Sequence, residues 1–157
     1  IRRAVENDQK LSYSIGRENY FLGKKMNFGG WARDRVVRLA MAERCHFSPD
    51  MVHECLICKD PVKPLDGPLY HLSYQSMDEV FEKQVRYAKL GAVKLRSAGI
   101  TSNSPLLKAS WTFVRLYAIQ LGFLDGWRGT LSAVAKSYET FWRYALSSRK
   151  YQRCTSE

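Results

Sequence analysis

Apolar residues come in short runs through positions 1–75 and at helical spacing through positions 76–148. "KLSYSI" and "HECLICK" alternate apolar with polar residues, the period of a half-buried strand. "GREN" and "KDPVKPLDG" punctuate them as turns, and the opening "IRRAVEND" reads as the end of a helix. Ser76 with Glu79 three residues on forms a capping-box pattern that starts a helix. Its expected stripe is Phe81, Val85, Ala88, Ala92 and Leu95, with Gly99 as C-terminal cap. Glu79–Lys83 and Glu82–Arg86 are spaced to pair along it. A second helix is predicted from Pro105 to about Leu124. A third carries Trp127, Leu131, Val134, Tyr138, Phe141 and Ala145 on one face, and Arg128, Ser132, Lys136, Glu139 and Arg143 on the other. The pattern predicts an α+β chain, with strands and loops in 1–75 and helices in 76–157.

The second helix is apolar nearly all round, its polar stripe being Lys108, Thr112 and Arg115. Its length approaches the roughly 20 residues of a membrane span, but a central Arg opposes insertion. A helix lying on something apolar fits better. Residues 100–153 carry eight basic and two acidic residues. An amphipathic, aromatic, basic segment suits an anionic membrane surface, and equally a hairpin whose stripes form its own core.

Composition narrows the partner. The chain has 157 residues, enough for a real core, and a net charge of +10 with a pI near 9.6. An anionic partner is expected. Basic residues never run five in a row, which argues against a disordered nucleic-acid tail. The first residue is Ile1 rather than Met, and no signal peptide pattern opens the sequence. The expectation is a piece of a longer chain. Four cysteines in such a chain do not predict a disulfide framework.

Candidate chemistry is concentrated between residues 28 and 74. Cys55-x-x-Cys58 has zinc-knuckle spacing, but Cys45-His46 is a poor second pair. On an alternating strand Cys55 and Cys58 face opposite sides, so both read as small strand residues. His53-Glu54 sets an imidazole beside a carboxylate, which suits acid–base work or a plain surface pair. "FGGWARDRVVRL" offers glycines for close backbone approach, Trp31 for a sugar or base, and Arg33, Arg35 and Arg38 as phosphate forks. The alternative is a turn with a packed Trp and solvated arginines.

"GGWARDRVVRL", "VHE", "LYHLSYQSMDEVFEKQVRYAKLGA" and "FVRLYAIQLGFLDGWRGTLSAVAKSYETFWRY" occur in that order. Together they resemble the C-terminal half of bacterial family 2 glycosyltransferases of the lipopolysaccharide-core β-glucosyltransferase type. The resemblance covers nearly the whole chain, and "GFLDGWRG" is its most specific part. It implies the acceptor half of a GT-A-like α/β fold (1–75) and a C-terminal amphipathic helical region. It implies inverting transfer from a nucleotide-sugar donor to a lipopolysaccharide-core or similar glycolipid or oligosaccharide acceptor. A divalent cation, Mg²⁺ or Mn²⁺, is implied as cofactor. Its main acidic ligands are expected outside this chain, since Asn7-Asp8 is not the family's acidic motif. By the same resemblance Glu54 is the base or acceptor-orienting group, His53 tunes it and Asp34 is the runner-up base. His71 is the implied metal ligand, and Trp31, Arg33 and Arg38 the implied substrate contacts. The implied place is cytoplasmic, peripheral on the inner face of the inner membrane, with no nucleic-acid partner. The competing readings are a non-catalytic membrane-surface module and a basic nucleic-acid-binding module.

Overall fold

Strand β1 (Ser12–Phe21) grows from the alternating run and sits at the centre of a four-stranded sheet. The computed structural model describes residues 11–32, 34–48, 55–102 and 104–148. The helix end expected at "IRRAVEND" lies outside them, as do Arg33, His53 and Glu54. β1 pairs antiparallel with β2 (Lys24–Lys25), Phe21 facing Lys24. Leu22 and Gly23 between them have φ of +48° and +78°, as a two-residue hairpin turn with matching twist requires. β1 also pairs antiparallel with β3 (Arg35–Leu39), from Gly16 opposite Arg35 to Tyr13 opposite Leu39. β4 (Cys45–Phe47) and β5 (Leu56–Cys58) form a separate antiparallel ladder. β6 (Val62–Tyr74) is the fourth strand of the main sheet and pairs with β1.

The helices follow. In α1 (Met77–Ser97) the Ser76 hydroxyl accepts from the Glu79 amide at 3.1 Å, and Glu79 accepts from the Gln75 amide at 2.6 Å. This is the expected cap with its reciprocal carboxylate moved out by one residue. Gly99 follows the helix at φ +68°. α2 starts at Pro105 as expected but ends at Val114. Arg115–Ile119 then winds as a π turn, Leu121 turns to φ +56°, and Gly122–Asp125 forms a 3₁₀ turn. α3 (Trp127–Ser147) completes the chain. The chain is thus mixed α and β, of the α+β class.

Two compact units divide within β1 and β6. One holds the described residues of 11–19 and 34–71, the other those of 20–32 and 72–148. In the second unit Phe21, Met26 and Val80 form the buried core, ringed by Leu22, Trp31, Tyr74, Leu131 and Ala135. Phe21 meets Tyr74 edge-on at 5.4 Å between ring centroids.

The helical faces are rotated from their expected positions. On α1 the buried line is Val80, Gln84, Ala88, Gly91 and Ala92, while Phe81 and Val85 are exposed. On α3 the buried residues include Gly129, Ala133, Thr140 and Ser147, while Trp127, Val134 and Tyr138 are exposed. Small residues let helices approach closely, and bulky neighbours splay outward. A Cβ on Gly91 would stand 2.5 Å from Cδ of Arg143, so a larger residue there would make that arginine side chain shift from where it crosses α1. The splayed side chains line shallow apolar grooves between α1 and α3, formed by Phe81, Val85, Val134, Tyr138 and Trp142 among others.

Candidate functional site

In the first unit a polar cluster forms where β1, the start of β3 and β6 meet. Alternation places Arg17 and Asn19 on one face of β1. The Arg17 guanidinium binds Oδ2 of Asp34, with Nε at 2.8 Å and Nη2 at 2.5 Å. The Arg17 amide also donates to the Asp34 carbonyl at 2.7 Å, so backbone and side chain fix this carboxylate together. Asn19, which is buried, donates Nδ2 to the same Oδ2 at 3.0 Å. Its Oδ1 lies 2.8 Å from Nδ1 of His71. An amide oxygen can only accept, so His71 carries its proton on Nδ1. In the neutral ring Nε2 then holds the lone pair.

Asp34 and His71, far apart in sequence, are thereby joined through Asn19. Sequence reasoning missed Arg17 and Asn19. Their signal was present: two polar residues on the strand face that also carries Ile15 and Phe21. Arg38 is exposed on β3, and Arg35 is drawn to the Ser14 carbonyl at 2.8 Å and the Leu65 carbonyl at 3.3 Å. Glu54, His53 and Arg33 lie outside the described residues.

An implied divalent cation fits His71 in one respect. Metal-bound histidines commonly donate their other ring N–H to an oxygen that fixes tautomer and ring plane. The Asn19 contact is of that kind, backed by Asp34 and Arg17. Among the described residues no group of three His, Cys, Asp or Glu side chains gathers to hold a metal. Among these residues His71 would supply one ligand only.

Of the described cysteines, Cys45 and Cys58 lie in the β4–β5 ladder and Cys55 directly precedes β5. Cys55 and Ile57 are exposed, and Leu56 and Cys58 half-buried, as alternation required. Cys45 stands directly opposite Cys58 across the β4–β5 ladder, a pairing the spacing alone did not reveal, and both are free thiols. The same ladder is tied by Arg44, whose guanidinium contacts both oxygens of buried Asp60 at 2.7 and 2.9 Å. Those hydrogen bonds, then the charge of Asp60, raise the Arg44 pKa above its already high ordinary value.

In the second unit the two glycine-rich motifs interlock. Asp125 of "GFLDGWRG" is 4% exposed and accepts from the amides of Asn27 (3.1 Å) and Phe28 (2.9 Å). The Gly29 amide donates to the Gln120 carbonyl at 2.9 Å. Gly30 adopts φ +91°, and a Cβ there would press on Leu116 at 3.2 Å. Gly129 is tighter still: its Cβ would fall 1.8 Å from the Gly122 carbonyl oxygen. Arg128 donates to the Leu22 carbonyl at 3.1 Å. Trp31 is half-buried against Phe21 and Tyr74, with its indole N–H on the Ser132 hydroxyl at 2.9 Å. It therefore anchors the loop to α3, whatever else its remaining surface contacts. Tyr74 lies against the same core. Burial raises its hydroxyl pKa, partly opposed by a hydrogen bond from Gln84.

No protein-family model matches the chain, and no solved structure matches it. No helix among the described residues is long and apolar enough to cross a membrane.

Proposed function

We propose that the chain is the acceptor-side part of an inverting glycosyltransferase of the GT-A-like family 2 type. It would act on a nucleotide-sugar donor and a lipopolysaccharide-core or similar glycan acceptor, peripherally at the cytoplasmic face of the inner membrane. The ordered motifs support the family. The observation that carries the chemistry is the Arg17–Asp34–Asn19–His71 chain, which gives a histidine a defined tautomer beside a fixed carboxylate.

Each group then has a task. Glu54, with His53 beside it, takes the proton from the acceptor hydroxyl as that oxygen attacks the anomeric carbon. Asp34, clamped by Arg17, orients Asn19 and through it His71. A divalent cation, when bound, offsets charge on the departing diphosphate, with His71 as one ligand beside carboxylates from outside this chain. Arg33 and Arg38 supply cationic forks for phosphate groups of donor or acceptor.

The test uses NMR on the 157-residue chain, titrated with a core oligosaccharide and then with Mn²⁺. Acceptor binding that Glu54→Gln weakens, and Mn²⁺ broadening of His71 that Asn19→Ala abolishes, are the expected results. A folded chain that binds no acceptor overturns the reading.

A further inference from the structure

Among the described residues nothing covers the apolar row on the outer face of α2, which leaves its side chains exposed, while Lys108 beside it reaches the Tyr144 ring at 6.0 Å. The inner face is committed: Ala109 and Thr112 are buried, as is Leu116 in the π turn that follows, and the Ser137 hydroxyl of α3 donates to the Ala109 carbonyl at 2.8 Å. Facing away are Leu107 (69% exposed), Trp111 (59%) and Val114 (45%), spaced 4-3 in one row. At 100° per residue, Lys108 and Arg115 fall together along one flank of this row, and both are exposed.

Charge selects the occupant. Residues 104–148 contain five cations: Lys108, Arg115, Arg128, Lys136 and Arg143. Their two carboxylates are withdrawn from the surface. Asp125 caps the Asn27–Phe28 loop, and Glu139 is 2% exposed beneath Lys136 (2.7 Å) and Arg143 (3.4 Å). No exposed carboxylate remains among these described residues. The surface is therefore apolar and cationic without an anion to balance it. A second copy pairing through this face would bring like charges together. Nucleic acid would use the cations but leave the leucine–tryptophan–valine row in water. An anionic bilayer satisfies both, since Trp and aliphatic side chains enter the interface while Lys and Arg meet headgroup phosphates.

We infer that the outer face of α2 is the membrane-docking surface, resting on anionic lipid through Leu107, Trp111 and Val114 with Lys108 and Arg115 at the headgroups. This deepens the peripheral placement proposed above, on which it rests, and it holds whether or not the chain transfers sugar. The experiment is co-sedimentation of the 157-residue chain with phosphatidylglycerol–phosphatidylcholine vesicles and with pure phosphatidylcholine, with neither donor nor acceptor present. Preferential binding to the anionic vesicles is expected. Trp111→Glu should abolish it. Removing each cation, Lys108→Ala or Arg115→Ala, should weaken it about five-fold. All three positions are exposed, and circular dichroism checks that each variant is folded. Equal binding to both vesicle types, or wild-type binding by folded Trp111→Glu, overturns the inference. So does a dimer that Trp111→Glu dissociates, or oligonucleotide binding in place of vesicle binding. Acceptor binding without vesicle binding would sink this inference alone and leave the glycosyltransferase reading standing.

Discussion

The interiors of the two units rest on different forces. In the helical unit the buried residues include the apolar Phe21, Met26, Val80, Ala88, Ala92, Ala109, Leu116 and Ala133 beside polar ones such as Gln84, Asp125 and Glu139. In the strand unit the buried described residues are Ser12, Asn19 and Asp60, all polar, with no buried apolar residue beside them. One unit is cemented largely by apolar burial, which is non-directional and is not weakened by charge screening. The other is held by backbone ladders and by the Arg17–Asp34 and Arg44–Asp60 pairs, which are directional and sensitive to partner loss. A unit built on polar contacts can set a side chain such as His71 in one orientation. A unit built on small-residue packing can leave its bulky residues outside for a partner.

The largest test of this contrast is truncation of an apolar side chain in each unit. Phe21→Ala should destabilise its unit by about 3–5 kcal/mol. Ile15→Ala, at a half-buried site in the strand unit, should cost less than half as much. Urea unfolding followed by circular dichroism measures both, and equal losses would break the comparison.

Asp60→Asn comes next. It removes the charge that Arg44 faces, and because Arg44 is exposed to solvent the expected loss lies below that of Phe21→Ala and below the cost of breaking a fully buried pair. High salt should narrow the gap between wild type and variant. A gap independent of salt would mean that Asp60 acts through hydrogen-bond geometry rather than charge.

The smallest effect belongs to the α1 cap. Ser76→Ala should cost about 1 kcal/mol. The Lys83 ammonium first, and the Gln75 amide next, hold the Glu79 carboxyl below its ordinary value of 4.5. A lowered folded pKa stabilises the fold above the ordinary value, and that gain disappears as pH falls through the lowered one. Wild type should therefore lose part of the contribution of this cap in acid, and Glu79→Gln should flatten that limb of the stability–pH curve. An unchanged limb would place the acid sensitivity elsewhere.

Local signals were legible where local physics decides. The Ser76 box, Pro105 at a helix start, Gly99 after a helix end and the alternation through Cys55–Cys58 all rest on contacts within a few residues. The faces of α1 and α3 were not legible. Hydrophobic spacing favoured Phe81 and Val134, whereas close packing favoured Gly91 and Ala133. The early end of α2 was also hidden, because the Gly29 amide that meets the Gln120 carbonyl comes from 91 residues away in sequence. Of the polar cluster, Asp34 and His71 were singled out from the sequence by resemblance. Their link through Arg17 and Asn19 required the strands to be paired.

By itself, then, the sequence determined the α+β class, the helix starts, the excess of cations and which residue types were at hand for chemistry. Those follow from periodicity, capping and charge, which are properties of neighbours along the chain. Only the tertiary structure decided that "GFLDGWRG" grips "NFGGW", that Asp125 and Glu139 are buried while Lys108 and Arg115 are not, and that Asn19 joins Asp34 to His71. The first and last of these depend on groups distant in sequence meeting within about 3 Å, the reach of a hydrogen bond, and the second on which helix faces pack inward.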